Sequence, residues 1–328
     1  DIENKTLRTP LDPDITYSDD PLRMMRAIRF ATQLNFTINE ESLTSISKNK
    51  ERINIVSKER IIDELNKIVL APKPSIGFKI LFDTGLLEII FPQVYNLRGV
   101  DKVESNGRIF AHKDVFYHTL QVLDNISEMT DNLWLRFAAL MHDIAKPRTK
   151  RYNKSSGWTF HGHEDLGAKW QRKIFEQLKL PMEKLAYVEK IVRLHQRPMA
   201  LVTGETTDSA YRRLAAMAGE DLEDLFIHCK ADITTKNSKK MNQYLENYEE
   251  VFQKIKEVQE KDQLREFQSP IRGNEIMKLC NIKPSRLVGQ IKNEIEEAIL
   301  EGLIKNEYVD AKQYFLKNKI EWINKYSN

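Results

Sequence analysis

Apolar residues recur three and four positions apart along most of this chain, and that spacing constrains its fold more than any other feature. Leu22, Met25, Ile28 and Ala31 follow it, as do Ile61, Leu65, Ile68 and Val69. Such rows put apolar side chains on one face of an α-helix. Phe116, Leu120, Leu123 and Ile126 mark another helix, and Leu133, Phe137, Leu140, Met141 and Ile144 the next. Helix breakers are few, with 12 glycines and 11 prolines in 328 residues. No strong alternating pattern and no internal repeat competes, so the fold class expected is all-α.

Three blocks are legible. From Pro21 to Phe91 helical patterns alternate with brief breaks; Pro72 and Pro74 end one of them, a short helix is expected over Ser75–Leu87, and Val94–Phe110 reads as an irregular connection. The second block runs from His112 to Asn237. It has a loop rich in Lys, Arg and Ser between Pro147 and Phe160, then helices at Leu166–Leu178, Glu183–Leu194, Ser209–Ala218 and Leu222–Ala231. The third block opens with a charged helix over Met241–Glu266. Ser269–Gly273 interrupts it, and helices follow near Asn274–Cys280 and Ser285–Glu301.

Composition narrows the partners. Lys and Arg total 51 against 48 Asp and Glu, a net charge of +3, so any nucleic-acid surface must come from local clustering. Cys229 and Cys280 have no metal-like spacing and offer no disulfide framework, which fits a reducing cytoplasm. No apolar run approaches the roughly 18 residues a membrane helix needs, so no membrane partner is expected. The chain begins at Asp1, and Asp1–Pro10 reads like the tail of an earlier element, so a longer parent protein is expected.

The chemistry concentrates in histidines and aspartates. His118 lies within one helical pattern, His142-Asp143 closes another, and His163, His195 and Asp232 follow. His118, His142, Asp143 and Asp232 together form a sulfur-free ligand set suited to Mn, Fe, Ni, Co or Zn, with positions left for water or phosphate. His163, Glu164 and His195 are candidates for a second metal position or a general acid. Lys146, Arg148, Lys150, Arg151 and Lys154 lie just downstream, where they could neutralise phosphates. The plainer reading is a set of core histidines beside a solvated basic loop; the recurrence of the ligand types on separate helical segments weighs against it.

A second informative stretch is Ser18–Phe30. Arg23, Arg26 and Arg29 are three apart and form a slanting stripe on one helix with no acidic residue among them. Guanidinium groups there could bond a base edge or a phosphate. Asp20 before Pro21 also reads as a helix N-cap, with Pro in the first turn.

Two family resemblances rest on these residues. His118, His142-Asp143 and Asp232 resemble the HD superfamily of metal-dependent phosphohydrolases over about His112–Asn237, which implies that those four residues are metal ligands and that Asp143, Lys146 and His163 serve catalysis. Lys5–Pro10 with Ser18–Ala31 resembles bacterial class II tRNA nucleotidyltransferases, the CCA-adding enzymes and their poly(A) polymerase relatives. Ser57–Ile61, Gly85–Leu87, Phe91-Pro92, Arg136–Pro147, Gly162–Glu164, Ile271–Ile276 and Leu287–Gly302 extend that likeness along the chain.

The likeness implies a remnant of the nucleotidyltransferase head at 1–20 and neck and body helices at 21–95. An embedded HD domain follows at 96–240, then a helical tRNA-binding tail at 241–328. It implies that Asp20 and Arg23 read the base of CTP or ATP, with Asp19 where the family has Glu, and that Arg26 and Arg29 join the nucleotide surface. It also implies that Arg148, Lys150, Arg151 and Arg272 face tRNA. The parent polymerase would use Mg, but its paired head carboxylates do not occur in this chain, so nucleotide addition by the chain alone is not expected. Two other readings remain: a stand-alone HD phosphohydrolase acting on 2′,3′-cyclic nucleotides or RNA-terminal phosphates, and a non-catalytic RNA-binding module.

Overall fold

The structure, a computed structural model, describes residues 1–99, 102–105, 108–111, 114–155, 157–202, 206–266, 269–300 and 303–326. His112 and the Glu301-Gly302 end of the C-terminal phrase lie outside the described residues. Helices dominate, as the apolar spacing requires, and the fold is all-α. The described strands are three two-stranded pieces. The chain divides into two compact units, Asp1–Ile255 and Lys256–Asn328.

The first unit is held by one continuous apolar cluster. Near its start the helices Leu22–Leu34, Lys58–Val69 and Ser75–Asp83 come together. Gly77 marks their closest approach, since a Cβ there would lie 2.5 Å from Thr32 Oγ1 and 2.6 Å from Ile68 Cγ2. The first residues are part of this body. Thr6–Leu7 pairs in parallel with Thr37–Ile38, and the helix Pro13–Asp19 buries Thr16 and Tyr17.

Several local expectations are corrected. Asp20 does not cap the helix that follows it: the helix Leu22–Leu34 starts after Pro21 with no side-chain cap. The Asp-Pro cap occurs one element earlier, where Asp12 accepts from Ile15 N and Pro13 opens Pro13–Asp19. The Ser75–Leu87 helix is broken into Ser75–Asp83 and Leu86–Ile90 because Gly85 takes the left-handed conformation at φ 76°. The Pro147–Phe160 loop contains a short antiparallel hairpin, Arg151–Asn153 with Gly157–Thr159. The Val94–Phe110 connection includes the strand Lys102–Ser105, paired with Arg108–Ala111.

Arg136 explains how the middle of the unit is pinned. It is 1% exposed, and its guanidinium donates to the carbonyls of Val69, Ala71, Thr130 and Ser127 and to the Asp131 carboxylate at 2.9–3.1 Å. Val69 and Ala71 lie at the end of the helix Lys58–Val69, Ser127 ends the helix Val115–Ser127 and Thr130 lies in the turn before Leu133–Met141, so one side chain satisfies two helix ends and a turn at once.

The second unit packs the helices Gly273–Cys280, Arg286–Leu300 and Tyr308–Tyr326 around Ile276, Ile291, Ile295, Phe315 and Trp322. Glu294 accepts from Lys325 at 2.9 Å and from the Tyr326 hydroxyl, tying the end of the last helix back to the middle one.

Candidate metal centre

The first unit gathers its histidines and aspartates at helix ends. His118 lies in the first turn of Val115–Ser127; His142 and Asp143 follow directly on Leu133–Met141; His163 opens His163–Leu178; His195 ends Leu185–Leu194; Asp232 ends Leu222–Ala231. The predicted helix Leu133–Ile144 therefore stops short, and the turn after Met141 swings His142 and Asp143 inward together.

Asp143 sits at the middle. Its Oδ2 lies 3.5 Å from His118 Nε2 and 3.2 Å from His142 Nε2. Its Oδ1 lies 3.2 Å from His163 Nε2 and 3.9 Å from His195 Nε2. Asp232 Oδ1 closes the first side at 3.0 Å from His118 Nε2 and 3.7 Å from His142 Nε2. Two triads result, His118–His142–Asp232 and Asp143–His163–His195, each with its ligand atoms within 4.8 Å of one another.

The ring tautomers are set from behind. Nδ1 of His142, His163 and His195 each lies 2.7 Å from the backbone carbonyl three residues earlier, Ala139, Phe160 and Val192 in turn. A carbonyl only accepts, so each Nδ1 donates its proton there and Nε2 is turned toward the centre. His163 Nε2 and His195 Nε2 face each other at 3.3 Å. His142 Nε2 and both Asp143 oxygens are buried without a well-formed hydrogen bond. Buried acceptors at this density are costly unless cations join them, and Lys146 reaches only Asp143 Oδ2.

Electrostatics agree. Burial pushes Asp143 up, but His142 and Lys146 outweigh it and hold the carboxyl well below the usual range. Asp232 is likewise depressed despite its burial, through its bond to His118 and the charge on His142. Burial, then the His142 charge, pushes His195 down to about 3. His142 goes the other way: burial would lower it, but the adjacent Asp143 raises it above its ordinary value. The pocket thus draws a positive charge to its centre, and Lys146 Nζ already lies 2.6 Å from Asp143 Oδ2. A sulfur-free N/O set of this kind fits a divalent cation.

Sequence reading missed three residues here. His228 is fully buried with neither ring nitrogen partnered, and its ring stands 5.2 Å from that of His142. It precedes Asp232 by four positions on one helix, a spacing that could have flagged it. Thr234 Oγ1 lies 3.1 Å from His118 Nδ1, and Gln196 Nε2 lies 3.3 Å from His163 Nε2; neither leaves a signal in sequence. Glu164 lies beside the ring of His163, Oε2 to Nδ1 at 3.4 Å.

The other sequence candidates are placed as follows. The arginine stripe is charge-matched from outside its own helix: Glu64, almost buried, lies 3.6 Å from Arg26 and 3.2 Å from Arg29. Asp20 lies 3.6 Å from Arg23 and 3.9 Å from Arg26. Arg148 and Arg151 are exposed and Lys150 is half-buried, beside the short hairpin. Arg272 is exposed in the second unit, just ahead of Gly273–Cys280.

Two family models match the chain: the HD domain over residues 115–266 and the "probable RNA and SrmB-binding site of polymerase A" over residues 35–97. The A-adding tRNA nucleotidyltransferase of Deinococcus radiodurans is 28% identical over 311 residues, covering 91% of this chain and 68% of that protein. The multifunctional CCA protein of Methylococcus capsulatus is 31% identical over 243 residues, covering 71% of this chain and 55% of that protein. A solved Thermotoga maritima CCA-adding enzyme complexed with tRNA covers 97% of this chain and 65% of that one, at 13% identity and a TM-score of 0.49. The chain therefore spans between about half and two thirds of these proteins' lengths.

Fold and site define a helical protein whose residues 115–266 match the HD domain and gather two groups of side chains that could hold a metal ion. More particularly, the chain is similar over most of its length to A-adding and CCA-adding tRNA nucleotidyltransferases.

Proposed function

We propose that this chain is the helical part of a cytoplasmic enzyme that maintains tRNA 3′ ends, and that its HD centre is a phosphohydrolase holding two divalent cations. The observation that carries the second claim is Asp143. One carboxylate oxygen lies beside His142 and the other beside His163, and His142, His163 and His195 donate their outer protons to backbone carbonyls. His118, His142 and Asp232 would hold one cation and His163 and His195 the other, with Asp143 shared. Mn, Ni, Co, Fe or Zn suits these ligands.

A divalent cation there supplies charge stabilisation to a phosphoester and acidifies a water molecule. The protein's own residues do the rest. Asp143, His142, His163 and His195 are buried and fixed, so they hold geometry without reorganising. His118 and Asp232, at 17% and 29% side-chain exposure, face the opening where a substrate enters. Lys146, on the same opening, places its ammonium where it offsets phosphate charge. All the candidate metal-binding side chains lie between His118 and Asp232, and this favours phosphohydrolysis as an activity independent of nucleotide addition.

The tRNA-end reading rests on the relatives and on the Asp19–Arg23 phrase. The parent enzyme would use Mg for transfer from CTP or ATP. The Asp20 carboxylate and the Arg23 guanidinium stand side by side, an acceptor beside a donor, which suits the edge of a base. The basic side chains Arg148, Lys150, Arg151 and Arg272 would contact tRNA phosphates. The test is hydrolysis of a 2′,3′-cyclic nucleotide by chain purified without chelator, with Mn, Ni, Co, Zn or Mg added. Metal-dependent turnover abolished by Asp143→Ala is expected; turnover that survives that change would overturn the assignment.

A further inference from the structure

Three of the four imidazoles assigned as ligands are anchored alike, and His118 is not. His142 and His195 follow the last residue of a helix, where the carbonyls of the final turn lack partners within it. His163 is the first residue of its helix, so Phe160 lies outside it. Each of these rings reaches the carbonyl three residues back at 2.7 Å. His118 sits inside Val115–Ser127, where the equivalent carbonyl, that of Val115, is committed to the helix ladder. Its Nδ1 instead meets Thr234 Oγ1 at 3.1 Å, 116 positions along the chain.

The segment that brings Thr234 to the ring also brings Asp232. Asn125, about two turns after His118 on the same helix, donates to the Ala231 carbonyl at 2.8 Å and seats the end of Leu222–Ala231 against that helix. Asp232 Oδ1 then lies 3.0 Å from His118 Nε2, and Thr234, two residues on, reaches the other ring nitrogen. One short stretch of chain therefore holds the ring from both sides. A hydroxyl can donate or accept. If Thr234 donates to Nδ1, the ring proton of a neutral His118 sits on Nε2, points at Asp232 and leaves no lone pair there for a cation. If Thr234 accepts from Nδ1–H, the Nε2 lone pair is available. Only the second arrangement lets His118 serve as a ligand.

We propose that Thr234 is a positioning residue of the metal centre: its hydroxyl accepts the Nδ1 proton of His118 and so turns the Nε2 lone pair toward the cation shared with His142 and Asp232. This rests on the metal-centre reading above and adds to it a residue outside the ligand set. Thr234 acts through His118, and the triad of His163 and His195, whose rings are set by backbone carbonyls, does not depend on it.

The test is calorimetric titration of the full chain with Zn²⁺, comparing the unaltered protein with Thr234→Val, which keeps the shape and removes the hydroxyl. One binding step should weaken about 10–100-fold while the other stays in place, and Thr234→Ser should restore the weakened step. Nitrogen NMR of the Zn²⁺-loaded unaltered chain supplies a readout that a packing role would not move: His118 should carry its proton on Nδ1. Two unweakened steps in Thr234→Val, equal weakening of both, no recovery in Thr234→Ser, or a His118 proton on Nε2 would each overturn the proposal. Failure of the underlying reading looks different. An unaltered chain that takes up no Zn²⁺ removes the metal centre and this proposal with it, whereas two intact steps in Thr234→Val remove this proposal alone and leave the centre standing.

Discussion

Arg136 shows how much one buried side chain can carry. Its donors reach four backbone carbonyls and one carboxylate, and burial pulls its pKa below the ordinary arginine value. Arg136→Met would keep much of the volume and leave those carbonyls unmatched. A loss of about 2–5 kcal/mol in stability is expected in urea unfolding; a loss below about 1 kcal/mol would mean that water replaces the guanidinium. Residue identity made part of the site legible in sequence. Imidazole and carboxylate are uncommon enough to stand out, and His118, His142, Lys146, His163 and His195 do gather at the Asp143 carboxylate, with Asp232 beside His118 and His142. His228, Thr234 and Gln196 did not stand out, since their roles depend on which helix ends converge. The arginine stripe illustrates the same limit. Its own helix has no acid, yet Glu64 from the Lys58–Val69 helix lies against two of its members.

Elements were legible wherever apolar spacing ran long. Leu222–Ala231 appears with the bounds expected, and Ser238–Glu266 and Asp208–Ala218 begin within three residues of theirs. The failures are local. Gly85 breaks a helix by its conformation, and the hairpin at Arg151–Thr159 is too short to show alternation. Glu40–Asn49 and Tyr308–Tyr326 were not anticipated, and both are rich in polar residues that blur the apolar face. The last helix also carries a pH prediction. Hydrogen bonds from Lys325, then from Tyr326, hold Glu294 below the usual carboxylate range. A carboxylate depressed on folding stabilises above its unfolded pKa, and that stability fades as the pH falls through its folded value. The second unit should therefore melt earlier as the pH drops below about 4, and Glu294→Gln should flatten that dependence. An acid limb unchanged by the substitution would assign the sensitivity to other groups. The effect is expected to be small, because the pair is partly exposed and screened by solvent.

At the scale of the whole molecule, the placing of the centre is what the sequence order could not supply. Its ligands are spread over more than a hundred positions, and they converge because each sits at or next to a helix end pinned into one apolar core. Asp143 joins the two triads, so the central claim is two divalent cations sharing one carboxylate. The most direct measurement is metal content per chain, by elemental analysis after equilibration with Mn²⁺ and removal of the excess. Two ions in the unaltered chain, one in His195→Ala and none in Asp143→Ala is the result expected. A single ion that His195→Ala leaves in place, or a content that Asp143→Ala does not change, would contradict the account.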